Sequence, residues 1–129
     1  MIVAMTYENG QVAHHFGHTP QFLFVRIENG KEIERKIVDN PGYINHQPGV
    51  VPQFIISNGA HWIITGGMGP MAVQMFVQSG VNVVQGITGS VDEVIKKIID
   101  GTLKGGESLC EHARMSPEEH KAYHHDVHG

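Results

Sequence analysis

The chain has 129 residues, 40% of them hydrophobic, and a formal net charge of −4 at pH 7. This length allows one hydrophobic core and is too short to be expected to divide into two. Its nine Lys and Arg residues are scattered along the sequence. This argues against a nucleic-acid partner, because phosphate-binding proteins concentrate their cations on one face.

The sequence also bears on the compartment. Its N-terminal stretch has no basic segment, and no apolar run approaches the roughly 20 residues of a membrane span. The single cysteine, Cys110, excludes an internal disulfide framework and fits a reducing compartment. We therefore expect a cytoplasmic protein with no membrane partner. The unusual feature is the count of ten His residues, which indicates metal chemistry without locating it, because imidazole is the commonest metal ligand.

The chain begins with three predicted strands. Residues 2–6 and 22–28 are mostly apolar runs, and residues 31–38 form a third run in which charged and apolar side chains alternate. Asn29-Gly30, between the second and third runs, is a strong hairpin signal. Because only one face of the third run can be buried, we predict an edge strand there.

Two helix–strand units follow from Pro48 onward. The first ends with a strand at residues 61–65 and the second with a strand at residues 81–84. A last helix begins after Ser90, which forms a capping box with Glu93. The apolar residues of this helix recur at helical spacing and predict one buried face.

The order β-β-β-α-β-α-β-α predicts an α/β fold with a five-stranded mixed sheet and helices on both faces. An antiparallel meander of three strands is followed by two strands that are reached through right-handed crossovers. After Gly101 the composition becomes polar and His-rich and loses aliphatic periodicity. We predict a folded domain over residues 1–103 and a mobile, His-rich polar tail over residues 104–129.

Four histidines in the domain are candidate ligands. His14, His15 and His18 lie within five residues of the loop after the first strand, where they either converge on one ion or form an exposed His-rich turn. His46 lies just before the first helix, where unpaired N–H groups and the positive end of the helix dipole favour an anion such as a sulfidic cluster. The alternative for His46 is a capping or turn residue.

A glycine-rich segment contains the next candidates. Gly66, Gly67 and Gly69 follow a predicted parallel strand and open a helix, which is where α/β sheets bind ligands. Glycines there let a large anionic ligand approach backbone N–H groups closely. Their alternative role is a tight strand-to-helix turn.

The predicted tail holds further metal-ligating residues. Cys110 and His112 are two residues apart, and His120 and His124 would stack at i and i+4 if a helix formed after Ser116. Imidazoles so placed can hold Zn²⁺, Ni²⁺ or Cu²⁺. A polar helix this short is marginal by itself, so disorder without metal is the expected state.

Several of these motifs occur together in one known family. The segments are Val12–His18 with Phe22, Asn45–Gly49, and Ile63–Pro70 with Ala72 and Gly80-Val81. In this order they resemble the dinitrogenase iron-molybdenum cofactor biosynthesis family, over roughly residues 1–103. The resemblance implies a ribonuclease H-like three-layer topology. It also implies binding of the iron-molybdenum cofactor, its iron-sulfur precursor or a related cluster.

The resemblance leads to the hypothesis of a non-enzymatic carrier that moves a metal-sulfur cluster between donor and acceptor proteins. One cysteine cannot supply the four thiolates of an ordinary iron-sulfur cluster, so a monomer would hold a preassembled cluster through few ligands and release it easily. On this hypothesis His46 is the first candidate ligand. The further candidates are His14, His15 and His18, with Gly66, Gly67 and Gly69 lining the site and Cys110 and His112 as more distant possibilities.

Two other functions stay open. One is a metallochaperone or divalent-metal buffer that uses the His-rich tail, including His120 and His124. The other is a small regulatory module that binds a phosphorylated metabolite at residues 67–70. An enzyme is not expected, because no Ser/His/Asp or Cys/His arrangement has a recognisable catalytic spacing.

Overall fold

The computed structural model describes residues 1–43 and 47–115. Within them, one mixed sheet carries helices on both faces, and no helix has the length and apolar character needed to cross a membrane. The strands are β1 (Ile2–Glu8), β2 (Gln11–Val12), β3 (Gln21–Glu28), β4 (Lys31–Asp39), β5 (Trp62–Ile64) and β6 (Asn82–Val84). The helices are α1 (Val50–Ser57), α2 (Pro70–Gln78), α3 (Val91–Asp100) and α4 (Glu107–Ala113), with a 3₁₀ turn at Phe16–His18.

The sheet has the strand order β4-β3-β1-β5-β6, and β2 pairs with the end of β1. β3 is antiparallel to β1 and β4, whereas β5 is parallel to β1 and β6 is parallel to β5. The prediction of a mixed sheet with helices on both faces is confirmed, and β4 is an edge strand as predicted. The expected buried face of β4 is absent, because residues 31–37 are all exposed and Val38 alone is partly buried.

The described sheet has six strands, so the prediction of five was wrong. The additional strand is β2, which follows a tight turn at Asn9 and Gly10 with φ values of 51° and 81°. Its ladder is short, with Glu8 opposite Gln11 as the pair next to the turn. Positive φ at both central residues is the signature of an Asn-Gly hairpin turn. The same dipeptide that predicted the β3–β4 hairpin therefore forms a second one here.

Both faces of the central strand β1 are buried, which explains why its sequence reads as a continuous apolar run. Val3 and Met5 point into a core shared with α3 and α4, and Ala4 points into a core shared with α1 and α2. α3 closes the first core as predicted: the Ser90 hydroxyl accepts a hydrogen bond of 3.1 Å from the Glu93 N–H.

The structure differs from the predicted mobile tail at residues 107–113, which form α4. Leu109 and Ala113 are fully buried in the core on the α3 side of the sheet. The Gly30 N–H donates to the Ala113 carbonyl oxygen at 2.8 Å and attaches α4 to the β3–β4 turn. A helix of seven residues is too short to show helical periodicity in its sequence. The polar, His-rich composition was therefore interpreted as a mobile tail. Residues 116–129, with His120 and His124, lie outside the described residues.

Candidate functional site

A cleft of about 330 Å³ lies beyond the carboxyl ends of the parallel strands β1 and β5. Two loops meet there: the His loop (residues 13–18), after β2, and the glycine loop (residues 65–69), after β5. The start of α1 and the first two turns of α2 complete the walls. The lining residues are Phe16, Gly17, Gln47, Pro48, Gly49, Val51, Pro52, Gly69, Met71, Ala72 and Met75. This is the edge at which open α/β sheets bind ligands.

The glycine loop and the His loop are in backbone contact. The Gly66 N–H donates to the Ala13 carbonyl oxygen at 3.2 Å, and the Phe16 N–H donates to the Gly67 carbonyl oxygen at 2.9 Å. A Cβ atom on Gly66 would lie 2.7 Å from the Cα atom of His14 and 2.8 Å from its carbonyl oxygen. Gly66 is therefore required for the close approach of the two loops, a role that its sequence context did not distinguish from ligand binding.

Two buried threonines, which the sequence analysis missed, hold the loops in place. Thr6, near the carboxyl end of β1, and Thr65, directly after β5, are fully buried. The Thr6 hydroxyl donates to the Ala13 carbonyl oxygen at 2.9 Å and lies 3.3 Å from the Thr65 hydroxyl. Thr65 Oγ1 is in turn 3.3 Å from the Gly67 carbonyl oxygen. The signal available in the sequence was that the apolar runs of β1 and β5 each lead to a threonine.

The three histidines of the His loop are exposed. The rings of His15 and His18 meet edge to face with their centroids 6.4 Å apart. Across residues 1–43 and 47–115, no three His, Cys, Asp or Glu side chains are grouped so that they could hold a metal ion. The convergence of His14, His15 and His18 on one ion therefore stays a prediction.

Phe16 anchors the His loop. Its ring is buried in the core between the sheet and α1 and α2, 5.5 Å from the ring of Phe76 and perpendicular to it. Because Phe16 also lines the cleft, the same side chain fixes the loop and forms part of the cleft wall.

The chain segment that precedes α1 is held from one side by Asn40, which is buried. Its side-chain amide donates to the Thr19 carbonyl oxygen at 2.8 Å, and its Oδ1 accepts from the Gly42 N–H at 2.8 Å. His46, the first candidate ligand, lies outside the described residues. Its neighbour Gln47 lines the cleft.

Two helices begin at the cleft with glycine N-caps. Gly49 caps α1 and Gly69 caps α2, and neither helix has a side-chain cap hydrogen bond. Backbone N–H groups in the first turn of a helix have no partner within the helix, and the dipole is positive there. Both features favour an anionic group in the cleft. Here Pro52 and Pro70 have no N–H, and the Val50 N–H donates to the Gln47 carbonyl oxygen at 3.3 Å. The first-turn donors that can serve are therefore those of Val51, Met71 and Ala72.

The cleft walls carry no charged side chain. The sequence contains no Asp, Glu, Lys or Arg from Asn40 to Val91, a range that includes every lining residue except Phe16 and Gly17. No carboxylate in these walls repels an anion, and no Lys or Arg pairs with one. The walls instead offer backbone donors, apolar surface and the thioethers of Met71 and Met75.

Comparison with known proteins identifies the family. A model described as dinitrogenase iron-molybdenum cofactor matches residues 1–101. The chain belongs to this family. The resemblance inferred from the motifs is confirmed, and α4 lies beyond the matched region.

The chain is also similar to several other proteins. An uncharacterized protein of Methanocaldococcus jannaschii is 34% identical over 106 residues, which are 81% of this chain and 90% of that protein. The crystal structure of PH0822 is similar with 36% identity and a TM-score of 0.74, over 81% of this chain and 93% of that one. The apo orange protein of Desulfovibrio gigas is similar with 26% identity and a TM-score of 0.66, over 78% and 88%.

Cys110 and His112 lie away from the cleft of this family member. Both are buried on α4, on the opposite face of the sheet from α1 and α2. The His112 ring packs against Trp62 with 5.6 Å between centroids, and Trp62 begins the strand whose other end leads to Gly66. The structure thus does not bring these two candidate ligands to the cleft residues.

Proposed function

We propose that the cleft binds a preassembled metal-sulfur cluster, which the protein passes from a donor to an acceptor protein in the cytoplasm without catalysing a reaction. The cluster would be the iron-molybdenum cofactor, its iron-sulfur precursor or a related cluster. The supporting observation is the uncharged cleft of about 330 Å³, in which two helices begin without side-chain caps. Such a cleft suits a soft anion, since backbone donors and the helix dipoles favour negative charge.

His46 remains the first proposed ligand, with His14, His15 and His18 as further ones. A cluster held by a few imidazoles and backbone donors lacks the four thiolates of a permanent site. Such a cluster is released more easily, as a carrier requires. We also propose that the fold is ribonuclease H-like, a topology supported by the antiparallel run β4-β3-β1 and the parallel β5 and β6.

A negative charge at the cleft is expected to weaken this binding. Met71 lines the cleft and is 65% exposed, so Met71→Glu can be accommodated without disturbing the core. An acidic residue in the first turn also favours helix formation. We expect cluster affinity to fall by at least about tenfold, which corresponds to a loss of about 1.4 kcal/mol of binding free energy. Anaerobic titration with the isolated cofactor, followed by its absorbance, measures the effect.

Val77→Glu is the matched control, because Val77 lies on the same helix, is 62% exposed and does not line the cleft. It should bind the cluster as the wild type does. Equal affinity in both variants would contradict binding in the cleft. The phosphorylated-metabolite hypothesis has less support, because sites for phosphate commonly use Arg or Lys and these walls have neither.

A further inference from the structure

Helix α2 presents two methionines to the cleft, Met71 and Met75. They are four residues apart, and such side chains lie on one helix face with their Cβ atoms about 5–6 Å apart. Met71 is 65% exposed, so it does not serve the core. Phe76, which is fully buried, provides the core contact of α2. The exposure of Met71 leaves its thioether accessible to a ligand in the cleft.

Met75 is held at the junction between α1 and α2. A Cβ atom on Gly49 would lie 3.5 Å from the Met75 Cε atom and 3.7 Å from its Sδ atom. Gly49 has a φ of 82°, a conformation that other residues rarely adopt. The thioether of Met75 thus packs close to Gly49, the N-cap residue of α1. Met71 lies one helical turn nearer the start of α2.

Thioether sulfur is a soft, neutral ligand that selects thiophilic metals. It needs no deprotonation, so it adds no charge to the cleft. Imidazole and carboxylate ligands are absent from the described lining residues. Apart from the amide oxygen of Gln47, which suits hard cations, sulfur is the only metal-ligating side-chain element that the described walls provide.

We propose that Met71 and Met75 form a thioether pair that contacts a thiophilic metal atom in the cleft. If the metal atom is part of the cluster, this inference rests on the proposed function and identifies Met71 and Met75 as two of the residues that contact the cluster. Two weak neutral ligands orient the cluster and leave it free to dissociate when a protein with thiolate ligands competes for the metal.

The test uses the full-length protein with ¹³C-methyl methionine and Ag(I) in chloride-free buffer. Each methyl group reports on its own sulfur, so binding at imidazoles or at Cys110 does not obscure the result. The methyl resonances of Met71 and Met75 should shift together with one apparent Kd. In Met75→Leu, loss of one of the two ligands should raise the apparent Kd at Met71 by about tenfold.

Met68→Leu is the control, because Met68 packs against the core on the α1 and α2 side and does not line the cleft. It should leave the response of Met71 unchanged. The proposal would be overturned if the apparent Kd of Ag(I) at Met71 were the same in Met75→Leu as in the wild type. It would also be overturned if neither methyl resonance responded to Ag(I).

Cluster titration separates this inference from the proposed function. A wild-type protein that shows the coupled Ag(I) response but takes up no cluster would refute the cluster carrier and leave the thioether pair standing. Cluster affinity that is unchanged in Met71→Leu/Met75→Leu would refute the contact with the cluster and leave the carrier standing.

Discussion

Replacing Gly66 with Ala is expected to lower the free energy of unfolding by about 1–3 kcal/mol, the range of overpacking in a filled site. The new Cβ atom would lie 2.7 Å from the His14 Cα atom and 2.8 Å from the His14 carbonyl oxygen. These are backbone atoms, so no side-chain rotation relieves the contact. The His loop must move away from the glycine loop, and cluster binding should weaken with it. Urea unfolding followed by circular dichroism measures the stability change.

Gly69→Ala is the matched control in the same loop. A Cβ atom on Gly69 would meet nothing within 4 Å, and the φ of −70° suits any residue. Gly is a better N-cap residue than Ala, so this exchange should cost less than about 1 kcal/mol, and the smaller conformational freedom of Ala in the unfolded chain offsets part of that cost. If Gly66→Ala were as stable as Gly69→Ala, the close approach of the two loops would be refuted.

Leu109→Ala is expected to destabilise the protein by about 2–5 kcal/mol, as large-to-small changes in a core do. Leu109 is fully buried in α4, against the core that the sheet shares with α3. Ser108→Ala, at the exposed neighbouring position of the same helix, should change little. Thermal and urea unfolding of both variants would reveal the difference. Two variants as stable as the wild type would mean that residues 107–113 do not belong to the folded domain.

Local signals predicted much of the fold. The Asn29-Gly30 turn, the edge position of β4 and the Ser90 N-cap of α3 all depend on residues close together in sequence, and the structure bears each of them out. α4 was missed because its helical character comes from burial of Leu109 against residues far away in the chain. β2 was missed although Asn9-Gly10 carried the same local signal as the other hairpin.

The candidate site was predictable in part. The glycine loop and the His loop were both singled out, but their contact depends on β1 lying beside β5, a neighbour relation between strands more than fifty residues apart. The pairing of Thr6 with Thr65 is nonlocal for the same reason. The thioether pair of Met71 and Met75 was not predicted, because methionines at helical spacing usually belong to a core. Only the structure shows that Met71 is exposed and that both residues line the cleft.

The most direct test of the cluster carrier is iron and acid-labile sulfide analysis of anaerobically purified protein, before and after incubation with the cofactor or its precursor. It compares the wild type with His46→Ala and with a chain that ends at Met115, which removes the His-rich residues beyond α4 and keeps α4 itself. We predict stoichiometric iron with sulfide that is lost in His46→Ala and retained in the shortened chain. Zinc or nickel without sulfide, lost only when residues 116–129 are removed, would contradict the carrier and indicate a metal buffer in that segment.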